Sequence, residues 1–213
     1  MKQNIYSVSQ VNAYVSRMFE EDFLLKKNVK AIVIACNTAT SAAAAALRGK
    51  LSIPVIGMEP ALKPASLFRK DGMIAVLATS ATLRQEKFRH LMERYGEYAV
   101  PCPGLMDYVE RGVTEGAELD AFLQKVLAPF RDYRFDAAVL GCTHYVFLKD
   151  AIQKAMPGVR LFDGNEGTSH QLRRVLSERG WLKEEGEGGV QLFSSAENPA
   201  LIRLMERLLA TKP

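Results

Sequence analysis

Short apolar runs rich in β-branched residues alternate along this chain with segments of helical spacing, and that alternation limits the fold more than any other feature. The runs at 30–35 (KAIVIA), 53–57 (IPVIG), 73–78 (MIAVLA), 136–141 (DAAVLG) and 159–163 (VRLFD) have the length and composition of strands covered on both faces. A further short run, 190–193 (VQLF), reads the same way. Between them the apolar positions recur at helical intervals. Val8, Val11, Val15, Met18, Phe19, Phe23 and Leu24 mark a helix over 8–27, and the alanine-rich stretch from 38 to 50 marks another. Further helices are expected at 82–95 (closed by Gly96), 105–112, 117–128 (closed by Pro129), 145–155, 166–179 and 199–210. Strands separated by helices are joined by right-handed crossovers, so the expected class is α/β with mostly parallel sheets flanked by helices. The chain opens on a helix, as though a βαβ series lacked its first strand.

Composition narrows the function classes. With 48% hydrophobic and 24% charged residues over 213 positions, the chain can bury one large core or two smaller ones, and disorder is a poor fit. No stretch reaches the roughly 18 apolar residues of a membrane span, and MKQNIYSVSQ lacks the apolar centre of a signal peptide. The excess of 28 Lys+Arg over 24 Asp+Glu is small and scattered. It forms no basic stripe with stacking aromatics, so neither nucleic acid nor a membrane is an expected partner. Three cysteines do not make a disulfide framework, and a reducing cytoplasm is the expected address.

Two segments share one plan. AIVIACNT at 31–38 and AAVLGCTH at 137–144 each run from an apolar strand through a cysteine and two polar residues towards a helix. In open α/β sheets, ligands collect at the carboxyl ends of strands. Cys36 and Cys142 are therefore expected there, where a helix amino terminus lowers a thiol's pKa and receives a carboxylate. Cys102, between two prolines with no helix following at once, reads as structural. A zinc site would draw on close-spaced pairs, and Cys36 and Cys142 stand far apart in a chain with three histidines, so no metal is expected. A nucleophilic Cys142–His144 pair is conceivable but leaves Cys36 without a task. Two opposed thiols do suit one reaction: inversion of a carbon acid beside a carboxylate, with a base on one face and an acid on the other. Asn37, Thr38, Thr143 and the helix-entrance amides could then hold the developing charge, with His144 assisting Cys142 or holding substrate.

These residues resemble glutamate racemases, within the aspartate/glutamate racemase superfamily. The resemblance covers nearly the whole chain and is strongest in VKAIVIACNTATSAA at 29–43 and LGCTHYVFL at 140–148. It implies cofactor-independent interconversion of L- and D-glutamate in the cytoplasm, supplying D-glutamate for peptidoglycan. It implies two similar α/β domains with the site between them: 1–73 plus 164–213 carrying Cys36, and 74–163 carrying Cys142. By the same resemblance Cys36 and Cys142 are the acid/base pair, and Asn37, Thr38, Thr143 and His144 contact substrate. Thr79 or Thr82 lines the site, and Glu110 supports His144. The small-molecule substrate is the one expected partner, and a homodimer stays open. The family's amino-terminal D-S-G-x-G-G segment and its Pro-Tyr-Gly loop have no match here, so weak racemisation by this chain is an expectation too. Aspartate-type racemisation and a non-catalytic carboxylate-binding role remain the alternatives.

Overall fold

The computed structural model describes residues 23–95, 98–195 and 198–211. Most of the helix expected over 8–27 lies outside them, as does Gly96; its last turn is a short 3-10 segment, Leu25–Lys27. Strand β1 (Ile32–Ile34) leads into helix α1 (Asn37–Lys50), and β2 (Val55–Gly57) returns parallel beside β1. Helix α2 (Leu62–Phe68) then crosses to β3 (Met73–Ala78). Helices α3 (Ser80–Leu83) and α4 (Glu86–Tyr95) precede β4 (Tyr98–Pro101), and α5 (Leu105–Glu110) and α6 (Ala117–Leu127) precede β5 (Phe135–Leu140). A 3-10 segment (Thr143–Leu148), α7 (Lys149–Ala155), β6 (Arg160–Phe162), α8 (Asn165–Glu178) and α9 (Pro199–Ala210) complete the order.

Every strand pairing among the described residues is parallel. One sheet pairs β1 with β2; the other runs β4-β3-β5-β6. The central strands β3 and β5 carry no charge beyond Asp136 because both their faces are covered. Ala75, Leu77, Ala138 and Leu140 point into one core with Val100, Leu105, Leu119, Leu123 and Tyr145. Ile74, Val76, Ala78, Ala137 and Val139 point the other way, against Leu62, Ala65 and Phe88. The period of two along each strand thus sorts one apolar run into two cores. The smaller sheet has its own core, in which Ile32, Ile34 and Val55 meet Ala43, Ala44 and Leu47 of α1.

Several elements depart from the sequence reading. Helix α2 was not anticipated: Pro64 sits in its first turn, where a missing N–H costs nothing. Strand β4 was not anticipated either, being a half-exposed edge strand that ends on Pro101. The helix expected over 82–95 is two, α3 and α4, parted at Arg84 and Gln85. The run at 190–193 forms no strand; Val190 is 67% exposed and Phe193 stacks edge-on against Phe23. The segment after Cys142 begins as a 3-10 turn rather than an α-helix.

The candidate active site

Both cysteines occupy the last extended residue before a helical segment, with nearly the same backbone. Cys36 has φ −140 and ψ 123 and caps α1; Cys142 has φ −133 and ψ 137 and caps the 3-10 turn. In each case the cysteine carbonyl accepts the first bond of the helical segment, from Thr40 N at 2.8 Å and from Tyr145 N at 3.0 Å. Cys36 is exposed there, whereas Cys142 is half-buried and packs against the larger core. The two settings differ electrostatically. The aligned dipole and open N–H groups of a long helix apply at Cys36, where α1 runs 14 residues. They do not apply in that form at Cys142, whose 3-10 turn has six residues before α7 begins.

One hydrogen bond brings the two strand ends together. Asn37 Nδ2 donates to the carbonyl of Gly141 at 2.8 Å, linking the residue after Cys36 to the residue before Cys142. Asn37 is buried, and its Oδ1 is left without a partner. Gly141 is itself held down: its N–H donates to Leu77 O at 2.7 Å, and a Cβ there would lie 2.9 Å from Ala78 Cβ. Only glycine lets the end of β5 press so closely on β3. From the other sheet, Thr40 Oγ1 donates to Ile34 O and accepts Met58 N, clamping α1 to the ends of β1 and β2.

Around the Asn37 link stands a row of hydroxyls. Thr38 Oγ1 lies 3.1 Å from Thr82 Oγ1, which lies 3.0 Å from Thr79 Oγ1. Thr79 caps α3 by accepting Thr82 N at 3.2 Å. Gln85 Nε2 reaches Thr38 O at 3.4 Å, so the break between α3 and α4 has a local use that periodicity does not reveal.

Cys142 has partners of its own. Its Sγ stands 3.7 Å from His144 Nδ1, and His144 Nε2 stands 3.5 Å from Glu110 Oε1 on α5. Burial pushes the Cys142 thiol up to about 11; backbone hydrogen bonds from His144 and Tyr145 pull it down, while Cys36 and Glu110 push it further up. Burial holds His144 below the ordinary histidine value against the opposing pull of Glu110 and Asp107, so the ring is held towards its neutral form. Among the described residues no side chain hydrogen-bonds the Cys36 sulfur, which is exposed. Thr143 stands half-buried at the first position of the 3-10 turn. Cys102 lies wholly buried beneath the site; burial pushes its thiol up to about 12, and its Sγ donates to Val100 O. Among the described residues no group of three histidine, cysteine or carboxylate side chains could hold a metal ion.

The family model described as Asp/Glu/Hydantoin racemase matches residues 2–171. The chain belongs to this family. It is 46% identical over 198 residues to glutamate racemase from Clostridium perfringens (strain SM101 / Type A), covering 90% of this chain and 76% of that protein. The crystal structure of glutamate racemase isoform RacE1 from Bacillus anthracis matches with a TM-score of 0.82 at 30% identity, covering 97% of this chain and 79% of that one. Glutamate racemase from Thermus thermophilus, in complex with β-chloro-D-alanine, matches with a TM-score of 0.78 at 35% identity, covering 95% and 77%. The α/β architecture with parallel sheets is thus shared with racemases of known structure. No helix among the described residues is long and apolar enough to cross a membrane.

Proposed function

We propose that this chain is a glutamate racemase that inverts Cα through its two strand-end thiols, Cys36 and Cys142. The observation that carries the reading is the Asn37–Gly141 hydrogen bond, which ties two matched cysteine turns, one from each sheet, edge to edge. The proton on a carbon beside a carboxylate is held tightly, so a base on one face must act with an acid on the other. In one direction the Cys36 thiolate removes the proton. Cys142, whose thiol burial keeps protonated at neutral pH, supplies a new one from the opposite face. In the other direction the roles exchange, and His144 serves Cys142 as proton partner from 3.7 Å.

The carboxylate gains charge as Cα loses its proton. The open amides of α1 and the hydroxyls of Thr38 and Thr143 stabilise that charge, and Asn37 sets the spacing. The chemistry asks for no cofactor and no second chain, since one chain supplies both thiols. It does ask that both stay reduced; all three cysteines are free, in keeping with a cytoplasmic source of D-glutamate for peptidoglycan. We read 1–73 plus 164–213 and 74–163 as the two domains. The close approach of Gly164 to Glu59 O supports the return at 164, while α2 packs on the larger sheet.

The test is incorporation of solvent deuterium at Cα of L- and D-glutamate, followed by NMR, with aspartate as competitor. Exchange and racemisation of glutamate by the parent chain is the expected result, with racemisation lost in Cys36→Ala and in Cys142→Ala, each variant keeping at most exchange, without inversion, of the one enantiomer its remaining thiol deprotonates. Racemisation that survives either substitution would overturn the two-thiol reading, and preference for aspartate would overturn the substrate.

A further inference from the structure

Tyr145 is a large side chain with no exposure at all, one residue beyond His144. Its hydroxyl donates to the carbonyl of Cys102 at 3.1 Å across 43 positions of sequence. That carbonyl also accepts Leu105 N at 3.3 Å, so it sits at the mouth of α5. Helix α5 carries Asp107 and Glu110, the two carboxylates that act on His144. Cys102 N in turn donates to Ala78 O, anchoring the same loop to the central strand. A closed ring results. It runs from Cys142 Sγ to His144, from His144 to Glu110, down α5 to the Cys102 carbonyl, and back through the Tyr145 hydroxyl to the turn where it began. Among its links the Tyr145 hydroxyl is the only fully buried one between the turn and the α5 mouth, and a buried bond is the one that water does not exchange away.

Resting on the two-thiol reading, we infer that Tyr145 is a positioning residue: its hydroxyl, bonded to the Cys102 carbonyl, holds the 3-10 turn so that the backbone of His144 and Tyr145 and the His144 ring stay aimed at the Cys142 sulfur. Buried Val146 and Leu148 anchor the turn by apolar packing, which has no direction; the Tyr145 hydroxyl adds a directional bond. A 3-10 segment has poorer hydrogen-bond geometry than an α-helix and drifts more readily without a tether. Losing the tether withdraws the backbone hydrogen bonds that favour the Cys142 thiolate, and it leaves Cys36 on the other sheet untouched.

The test is Tyr145→Phe, which removes one oxygen and keeps the ring in the core. Alkylation of Cys142 and Cys36 by iodoacetamide across pH 7 to 11, resolved by mass spectrometry, reads each thiolate separately. The groups around Cys142 are Cys36, Cys102, Asp107, Glu110, His144 and Tyr145, and the substitution removes none of the carboxylates or thiols among them. The expected result is that Cys142 alkylation slows several-fold at each pH across that range, while the Cys36 profile does not move. In the racemase assay kcat/KM falls about tenfold. The primary deuterium isotope effect grows for the enantiomer that Cys142 deprotonates and shrinks for the other. Ile152→Val, a buried change in the same core at similar cost in stability, should do none of this. Unchanged alkylation profiles in Tyr145→Phe would overturn the inference whatever the activity. A chain without Cα exchange, yet with the slower Cys142 alkylation, would overturn the racemase reading and leave the tether standing.

Discussion

Gly141→Ala is the sharpest probe of how the two cysteine turns are held. An ideal Cβ at 141 would stand 2.9 Å from Ala78 Cβ and 3.0 Å from the carbonyl oxygen of Leu77. Carbon atoms in contact settle at about 3.5–4.0 Å, so the end of β5 would have to lift from β3 by roughly 0.6 Å. Neither obstacle can yield, because Leu77 and Ala78 are fully buried on a central strand. The 2.7 Å bond from Gly141 N to Leu77 O must lengthen as the strand lifts. Overpacking of this kind costs about 1–3 kcal/mol, to be read as a fall in the urea midpoint at constant slope. The lift also carries away the Gly141 carbonyl that Asn37 holds, and Cys142 with it. Racemisation should therefore fall by tenfold or more. Ala78→Gly in the same chain removes the nearer obstacle and should restore part of both losses, giving a coupling energy of about 0.5–2 kcal/mol. A Gly141→Ala protein that unfolds within about 0.5 kcal/mol of the parent and racemises at full rate would refute this account of the strand end.

Three further outcomes can be checked. Stability should fall as pH rises above 9: Cys102 stays protonated in the folded chain up to about 12 while the unfolded thiol ionises near 9, so the folded state binds more protons in that window. From pH 9 to 10 the loss is on the order of 1 kcal/mol, and Cys102→Ala should flatten the slope in urea titrations, whatever it does to absolute stability. Asn37→Asp should cost more than Asn37→Ala at pH 8, because it sets a carboxylate oxygen against the Gly141 carbonyl where alanine merely leaves that carbonyl short of a donor; equal midpoints would contradict the 2.8 Å bond. Thr82→Val should cost about 1–2 kcal/mol and raise KM for substrate, since it strips the middle member from the Thr38–Thr82–Thr79 row.

The elements legible in the sequence are those whose own composition decides them. Strand β3 at Met73–Ala78 and helix α9 at Pro199–Ala210 begin and end where their apolar patterns do. Helix α2 escaped notice because a proline usually signals a break, and only its place in the first turn makes it harmless. Strand β4 escaped because a half-exposed edge needs no long apolar run; its hydrogen bonds to β3 make it a strand. The run at 190–193 misled for the opposite reason, since apolar residues alone do not supply a pairing partner. At the site, the matched cysteine turns could be read from the repeated strand–Cys–polar plan. The Asn37–Gly141 link spans 104 positions, and Thr38–Thr82 and Tyr145–Cys102 span 44 and 43. Contacts of that reach belong to tertiary packing, which no local pattern encodes. The 3-10 turn after Cys142 was hidden likewise, because periods of about 3.0 and about 3.6 residues are hard to tell apart over so short a segment.

The bond between Asn37 and the Gly141 carbonyl also dates the birth of the site. During synthesis the first thiol leaves the ribosome long before the second, and the α8 mouth that abuts Glu59 follows later still. On the two-thiol proposal a nascent chain holds one sulfur with nothing to answer it, and racemisation would begin only when the last crossover has docked. By the same logic, a protease nick that let the two sheets part would silence the protein while each half still carried its own thiol.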